Sequence, residues 1–283
     1  MTRQKGDHPA EGLRKHGIGD PFEDSAGGVV SGNGRFARWL RRWVRFRYLS
    51  MIERVATPGS RLLEFGCGGG DAWLAKEYDV TGLEVSEASA KAARALYPQV
   101  IVADVAAIPI RDGSFDVATS IFVLEHLSSA AAKKSLEELS RVLVSGGLLV
   151  CVCDLECDHP MLSFIRRHYP LGYNEAYIDV PGHFGLRREE EWRHLVGSAG
   201  FHIEEWNLQS RLPLLDYGPL VQLSTSRHIP RVVRAVGLIS LWFSKLPRIG
   251  PVWALTVTVI DRGLRFMLPE RWAYRLAFVA RRD

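Results

Sequence analysis

An acid followed by a run of glycines, Glu64-Phe-Gly66-Cys67-Gly68-Gly-Gly70, is the stretch of this chain best suited to holding a ligand. Glycines where a strand turns into a helix let the backbone bend sharply and let a ligand approach where a Cβ would collide. A dinucleotide fingerprint has the spacing G-x-G-x-x-G, whereas this turn reads G-x-G-x-G with Glu64 two residues before the first glycine. Such an acid repels a pyrophosphate and attracts a cation. Other residues able to do chemistry are spread along the chain: Glu84 and Asp104, His126 in Leu-Glu-His-Leu, His183 in Pro-Gly-His-Phe-Gly, and a Cys151, Cys153, Cys157 group near His159.

The elements that must position them follow from periodicity. From residue 59 to 206 short apolar runs alternate with helical segments, the pattern of βαβ units and a parallel sheet. Strands are predicted at Arg61–Phe65, Val80–Glu84, Val100–Ala103, Phe115–Ile121, Gly147–Cys153 and Phe201–Trp206. Helices are predicted near Asp71–Glu77, Glu87–Leu96, Ala130–Leu143 and Arg188–Ala199, the last ended by Gly200 as a C-cap. A ligand of the glycine turn would then sit at the carboxyl ends of the strands, in the crevice of an open sheet. The closing residues from Ala273 alternate like a strand placed to return beside the sixth.

With these residues in order, the sequence resembles the class I S-adenosylmethionine-dependent methyltransferases, in particular their small-molecule methyltransferase domains. The first motif of that family, an acid and G-x-G-x-G, is matched by Glu64, Gly66, Gly68 and Gly70, with Cys67 where the family commonly has a cysteine. By the same resemblance Glu84, followed by Val85, ends the second strand as the acid that holds both ribose hydroxyls. Asp104 would accept from the adenine amino group, and Val105 would lie beside the ring. Asp112-Gly-Ser-Phe-Asp116 and Val123-Leu-Glu-His-Leu127 are similar to the family's fourth strand and following loop, with Ser120 on that strand as a further cofactor residue. The resemblance covers residues 60 to about 206. It implies S-adenosylmethionine as cofactor and an α/β, doubly wound, mostly parallel seven-stranded sheet with an antiparallel last strand and a helical insertion before it.

Methyl transfer asks little of acids and bases when the nucleophile is good, since alignment of acceptor, carbon and sulfur supplies most of the rate. An alcohol or phenol acceptor gains from a base. The catalytic candidates are His126 and His183, each with a structural alternative: His126 as the residue that holds its loop, His183 as the residue that orders a closing loop. Tyr169, Tyr173 and Tyr177 are expected to wall the acceptor pocket. The C-x-C-x3-C spacing does not match paired zinc knuckles, so the cysteines are expected to be core thiols and no metal site is assigned.

The chain has 283 residues, 47% apolar and 24% charged, which excludes disordered, collagenous and disulfide-framework classes. Its domains are expected as a mobile arm (1–34), an amphipathic helix (35–58), a cofactor-binding core (59–206), a basic and apolar helical insertion (207–272) and a returning strand (273–283). In the 35–58 helix, Phe36, Trp39, Leu40, Trp43, Val44 and Phe46 share a face opposite arginines, which suits either a cover over the core or an interfacial helix. Residues 1–58 carry 11 basic and 6 acidic side chains, 59–206 carry 13 and 22, and 207–283 carry 12 and 4. Two basic flanks around an acidic centre suit an anionic partner surface, against a bland alternative of solvated charge. The longest uncharged apolar runs, 235–244 and 249–260, are too short to span a bilayer. No secretory signal is visible, so a cytoplasmic location is expected, including the inner membrane face.

The expected function is methylation of a small or amphiphilic acceptor of the quinone, lipid or lipid-linked glycan class, at an anionic membrane surface. A soluble metabolite, a nucleic acid, or a non-catalytic cofactor-binding subunit is the alternative. Nucleic acid is disfavoured because no Asn-Pro-Pro-Tyr motif and no RRM or KH signature is present.

Overall fold

In the computed structural model, residues 47–212, 218–245, 256, 259–261 and 263–283 are described. The expected arm, the Phe36 to Phe46 face and most of the second insertion helix lie outside them. Seven strands, β1 (Arg61–Phe65), β2 (Asp79–Glu84), β3 (Gln99–Val102), β4 (Phe115–Ile121), β5 (Leu143–Asp154), β6 (Phe201–Gln209) and β7 (Arg275–Arg282), form one sheet of order β3-β2-β1-β4-β5-β7-β6. β7 runs antiparallel to both β5 and β6, and the other described pairings are parallel. The doubly wound class expected from the sequence is the observed one.

Helices cover both faces: α1 (Arg47–Val55), α2 (Ala72–Glu77), α3 (Glu87–Ala93), α4 (Ser129–Val142), α5 (Pro160–His168), α6 (Pro170–Tyr173), α7 (Glu189–Ser198), α8 (Gly218–Ser224) and α9 (Arg231–Lys245). Successive strand side chains point to opposite faces, so each central strand feeds two cores. Leu63, Phe65, Cys151, Cys153, Leu276 and Phe278 join Leu136, Leu139, Trp192 and Val196 of α4 and α7 on one face. Leu62, Val150, Val152, Ala277 and Val279 join Tyr48, Leu49, Met51 and Ile52 of α1 and Leu74 of α2 on the other. The described part of the N-terminal helix is therefore a core cover, fastened at its end by Arg54 donating to both carboxylate oxygens of Glu205 (2.9 and 2.8 Å).

Element ends have local causes. Asp71 caps α2 by accepting from the Trp73 and Leu74 amides, and Ser86 caps α3. α3 stops at Ala93, short of the predicted Leu96, because the chain turns ahead of Pro98, and a residue before proline is pushed out of the helical region. β5 starts at Leu143, four residues earlier than predicted, because α4 passes into the strand without a loop.

The largest difference from the sequence reading lies between β5 and α7, read there as a connection. It holds α5, α6 and a π-helical turn, Asn174–Asp179. Pro160 at the first turn of α5 and Tyr169, Tyr173 and Tyr177 at four-residue spacing were the available signals. These elements and α8 bury a third apolar cluster, Leu162, Ile165, Tyr173, Tyr177, Leu223, Ile229 and Tyr274, by the end of β5 and the start of β7. No described helix is long and apolar enough to cross a membrane.

Candidate functional site

The ends of β1 and β2 meet in the glycine turn. The amides of Gly66 and Cys67 both donate to the Leu83 carbonyl (2.8 and 3.0 Å), which swings the turn across the end of β2. Gly66 has φ +70°, and a Cβ there would lie 2.5 Å from Val123 Cγ2 in the segment after β4. Only glycine fits at that contact. The Gly68 amide donates to Glu84 Oε2 (2.8 Å) and the Ser86 amide to Glu84 Oε1 (2.9 Å), so the acid ending β2 is locked to the turn from both sides.

Glu64 is buried below the turn, where Tyr97 Oη donates to its Oε2. The same hydroxyl accepts from the Asp71 amide (2.5 Å), tying the acid to the start of α2. Burial pushes the Glu64 carboxyl up to about 8, against the pull of the Tyr97 hydrogen bond and with help from Asp71 and Glu84. Tyr97 was missed by sequence reasoning. Its trace is Gly82, where a Cβ would lie 3.1 Å from the Tyr97 ring and 2.7 Å from Cys67 Sγ, so a glycine inside β2 admits both side chains. Burial and the two acids push the Cys67 thiol far up, which makes it a packing group and not a nucleophile.

Val85 is half exposed just beyond Glu84, and Asp104 is exposed, with Oδ1 accepting from the Ala106 amide (2.8 Å). Val105 is buried beside it. Ser120 is fully buried between Phe65 and Cys151 of the flanking strands, and its Oγ has no partner. Glu64, Gly66, Gly68, Gly70, Glu84 and Val85 thus line one continuous edge, with Asp104 and Val105 after the neighbouring strand β3.

The second half of the edge lies at β4, β5 and β7. Phe122, just after β4, adopts φ +57°, rare for an aromatic residue. Its amide donates to the Val152 carbonyl (2.8 Å) and the Arg275 guanidinium lies 4.8 Å from its ring centre. The short helical turn Leu124–His126 follows. The loop carrying His183 docks on this turn: the Gly185 amide donates to the Glu125 carbonyl (2.8 Å), and Arg187 donates to the carbonyls of Gly185 (2.6 Å) and Leu127 (2.8 Å). The two candidate histidines come together, ring centres 5.2 Å apart, with His126 Nδ1 3.0 Å from the Gly182 carbonyl. Burial holds His183 down at about 4, so it is neutral at pH 7.

Three buried titratable groups that sequence reasoning did not single out sit beside the histidines. Asp154 ends β5 and faces Arg275 of β7 in register; Arg275 Nε donates to Asp154 Oδ1 (3.3 Å). The Asp154 amide donates to Glu125 Oε1 (3.4 Å). Burial, then the Asp154 charge, raises the Glu125 carboxyl well above its ordinary range. The antiparallel return of β7 is what brings Arg275 here, and no spacing in the sequence announces it.

A methyltransferase domain profile matches residues 63–151, the span from β1 to β5 that carries the glycine turn and Glu84. Residues 63–151 are thus a methyltransferase domain of the class I S-adenosylmethionine-dependent type. Demethylmenaquinone methyltransferase of Staphylococcus aureus is 29% identical over 160 residues, 53% of this chain and 64% of that protein. The "Probable tRNA methyltransferase 9B" of Bos taurus is 29% identical over 146 residues, 51% of this chain and 30% of that protein. The chain therefore spans less than two thirds of either relative. Among solved structures, the [4+2]-cyclase SpnF aligns over 93% of this chain and 92% of its own, with 20% identity and a TM-score of 0.55. An S-adenosylmethionine-dependent methyltransferase of Methanosarcina mazei aligns over 82% of this chain and 96% of its own, with 15% identity and a TM-score of 0.51. The two structures establish the fold of the methyltransferase domain, and a cyclase among them shows that this fold alone does not name a reaction.

S-adenosylmethionine is the cofactor of this family, and the residues present fit it. Space beyond the Gly68 α-carbon is open to 4 Å. Glu84 at the turn suits a cationic ligand and opposes a phosphate, and Glu64 joins it once a bound cation or rising pH ionises its carboxyl. Gly66 to Gly70 would hold its methionine end and Glu84 its ribose.

Proposed function

We propose that this chain is an S-adenosylmethionine-dependent methyltransferase whose acceptor is a small or amphiphilic molecule of the quinone, lipid or lipid-linked glycan class. The observation that carries the reading is the adjacency of two half-sites. An acidic glycine turn at β1 and β2 touches, through Gly66 and Val123, the segment after β4 that leads to the two histidines. When bound, the cofactor supplies a methyl group on a positively charged sulfur.

The chain's own residues supply placement. Glu84 and the turn amides fix the donor end, and the docked loop at 182–187, clamped by Arg187, keeps water from the acceptor end. His126 is partly exposed, the better placed of the two histidines to take a proton from an acceptor hydroxyl; His183, neutral and buried, orders the loop. Incubation of the full chain with methyl-labelled cofactor and a panel of quinols, lipids and soluble phenols tests the reading. Label transferred to an amphiphilic acceptor supports it; label transferred only to RNA or to a charged metabolite overturns it.

Docking on an anionic membrane is part of the same proposal, favoured by an inverted helix. α9 packs on α8 through Gly237, where a Cβ would collide with the Leu220 carbonyl, and turns Gly237 and Ser240 inward. Val232, Val236, Leu238, Ile239 and Trp242 face outward, Val232 75% and Trp242 60% exposed, with Arg227 and Arg231 exposed nearby. An outward apolar face with cations at its end suits a lipid interface. Flotation with anionic liposomes, weakened by salt, is the expected result; a chain that stays off anionic liposomes at low salt overturns the membrane part.

A further inference from the structure

β6 is the edge strand of the sheet, with β4, β5 and β7 between it and β1. Against its end lies an open cavity of about 480 Å³, walled by β6 from Trp206 to Leu208, by Arg211, and by the turn at residues 265–270. It shares no residue with the glycine turn or the histidine pair. The walls are fixed in place. Trp206 stacks on Phe278, ring centres 5.2 Å apart, and donates through Nε1 to Glu189 (2.8 Å). Arg211 is only 8% exposed, and its Nη1 donates to the carbonyls of Arg265 and Leu268, so one guanidinium braces the turn from within. Its Nη2 meets Glu270 (3.3 Å), and its Nε is buried with no hydrogen-bond partner. Arg265 lies half-buried with its guanidinium 4.5 Å from the ring centre of Phe266, and it has no ion pair among the described residues. At the tip of the turn, Phe266 and Met267 are 82% and 78% exposed.

We propose that this cavity is a headgroup site for an anionic phospholipid, with Phe266 and Met267 entering the acyl layer beside it. The inference deepens the membrane part of the proposed function and rests on it. The charge of the guest follows from the lining, which holds two arginines and one glutamate. Arg211 is paired with that glutamate, so Arg265 is the cation left to a guest. A guanidinium donates to a phosphate through two parallel N–H groups, the strongest kind of hydrogen bond a side chain offers an anion. The lipid, as against a free phosphate, follows from the neighbouring apolar side chains. A soluble anion would fill the cavity and leave Phe266 and Met267 in water, whereas a lipid supplies an anion and an apolar layer at one place. Leu208, Leu268 and Pro269 in the same wall suit the glycerol and first methylenes below the headgroup.

The test is flotation of the full chain with vesicles of phosphatidylcholine alone and of phosphatidylcholine mixed with phosphatidylglycerol, alongside calorimetric titration with glycerol phosphate. The intact chain is expected to bind the anionic vesicles more tightly. Arg265→Gln should weaken that binding about fivefold, the loss of a single cationic contact, and leave binding to the neutral vesicles unchanged. Phe266→Ser combined with Met267→Ser should weaken binding to both kinds of vesicle, with melting curves of all variants as in the wild type. Anionic-vesicle binding that survives these substitutions but is lost in Trp242→Ser overturns the cavity and leaves docking through α9 standing. Glycerol phosphate bound as tightly as the vesicles, with sensitivity to Arg265→Gln but not to the loss of Phe266 and Met267, overturns the lipid in favour of a soluble phosphate ester. A chain that binds neither vesicles nor glycerol phosphate overturns the site and the membrane docking together.

Discussion

Along the carboxyl edge of the sheet, two half-sites lie side by side and are built in different ways. At β1 and β2 the key hydrogen bond, from the Gly68 amide to Glu84, joins residues 16 positions apart, and the groups involved are backbone amides and one acid. At β5 and β7 the corresponding link, Arg275 to Asp154, spans 121 positions and joins two charged side chains in a dry environment. The first is a local turn that any βαβ unit with those glycines closes. The second exists only once β7 has returned antiparallel between β5 and β6. Damage to the first should therefore fall on cofactor affinity, and damage to the second on the stability of the edge itself.

The sharpest way to break this contrast is Arg275→Met. It leaves Asp154 buried beside Glu125 without its cation, and the expected loss of stability is about 3–5 kcal/mol in a denaturant titration. Asp154→Leu added to it should recover most of that loss. A single variant as stable as the wild type would show that the pair does not hold the edge together. Next in size is Glu84→Ala, which removes the acceptor for the Gly68 and Ser86 amides and, on the proposed reading, for the ribose. Calorimetry should show affinity for S-adenosylmethionine down by about 100-fold, with the melting temperature little changed, and undiminished binding would sink the assignment of the turn.

Gly66→Ala is expected to cost about 2 kcal/mol, from a positive φ and the collision with Val123. Trimming Val123 to alanine in the same chain should relieve the collision but not the φ penalty, so a partial recovery is the expected result. Complete recovery would mean that the backbone there tolerates a side chain.

A further prediction concerns pH. Glu64 is raised from 4.5 to about 8, so between those values the folded chain keeps a proton that the unfolded chain has released. Stability of the cofactor-free chain should fall as pH rises through that window. A cation in the turn favours the carboxylate, so cofactor binding should tighten as pH rises towards 8. Thermal melts of the wild type and of Glu64→Gln across the window separate this from every other titrating group, and identical profiles would acquit Glu64.

Much of the first half-site was legible in residue order. Glycines at fixed offsets from an acid, a second acid one βα unit on, and alternating strand and helix patterns are short-range features, and Glu64, Gly66, Gly68, Glu84 and the doubly wound sheet follow from them. Tyr97 was hidden because a buried tyrosine after a helix looks like any core aromatic until Gly82 is seen to make room for it. Helix α5 and the π-helical turn were hidden by tyrosines that read as pocket walls, although their four-residue spacing carried the helical period.

By itself, then, the sequence determined the periodic elements, the order in which they wind and the acidic turn that suits a cationic cofactor. These depend on interactions within about one βα unit, where chain position implies spatial position. Tertiary structure alone decided that the rings of His126 and His183 come together, that Asp154 meets Arg275, and that Glu125, Tyr177 and His183 are buried near that pair. Those contacts join segments whose meeting is set by the antiparallel return of β7 and by the packing of α5, α8 and the docked loop over the sheet edge, and burial there raises the Glu125 carboxyl and keeps His183 neutral.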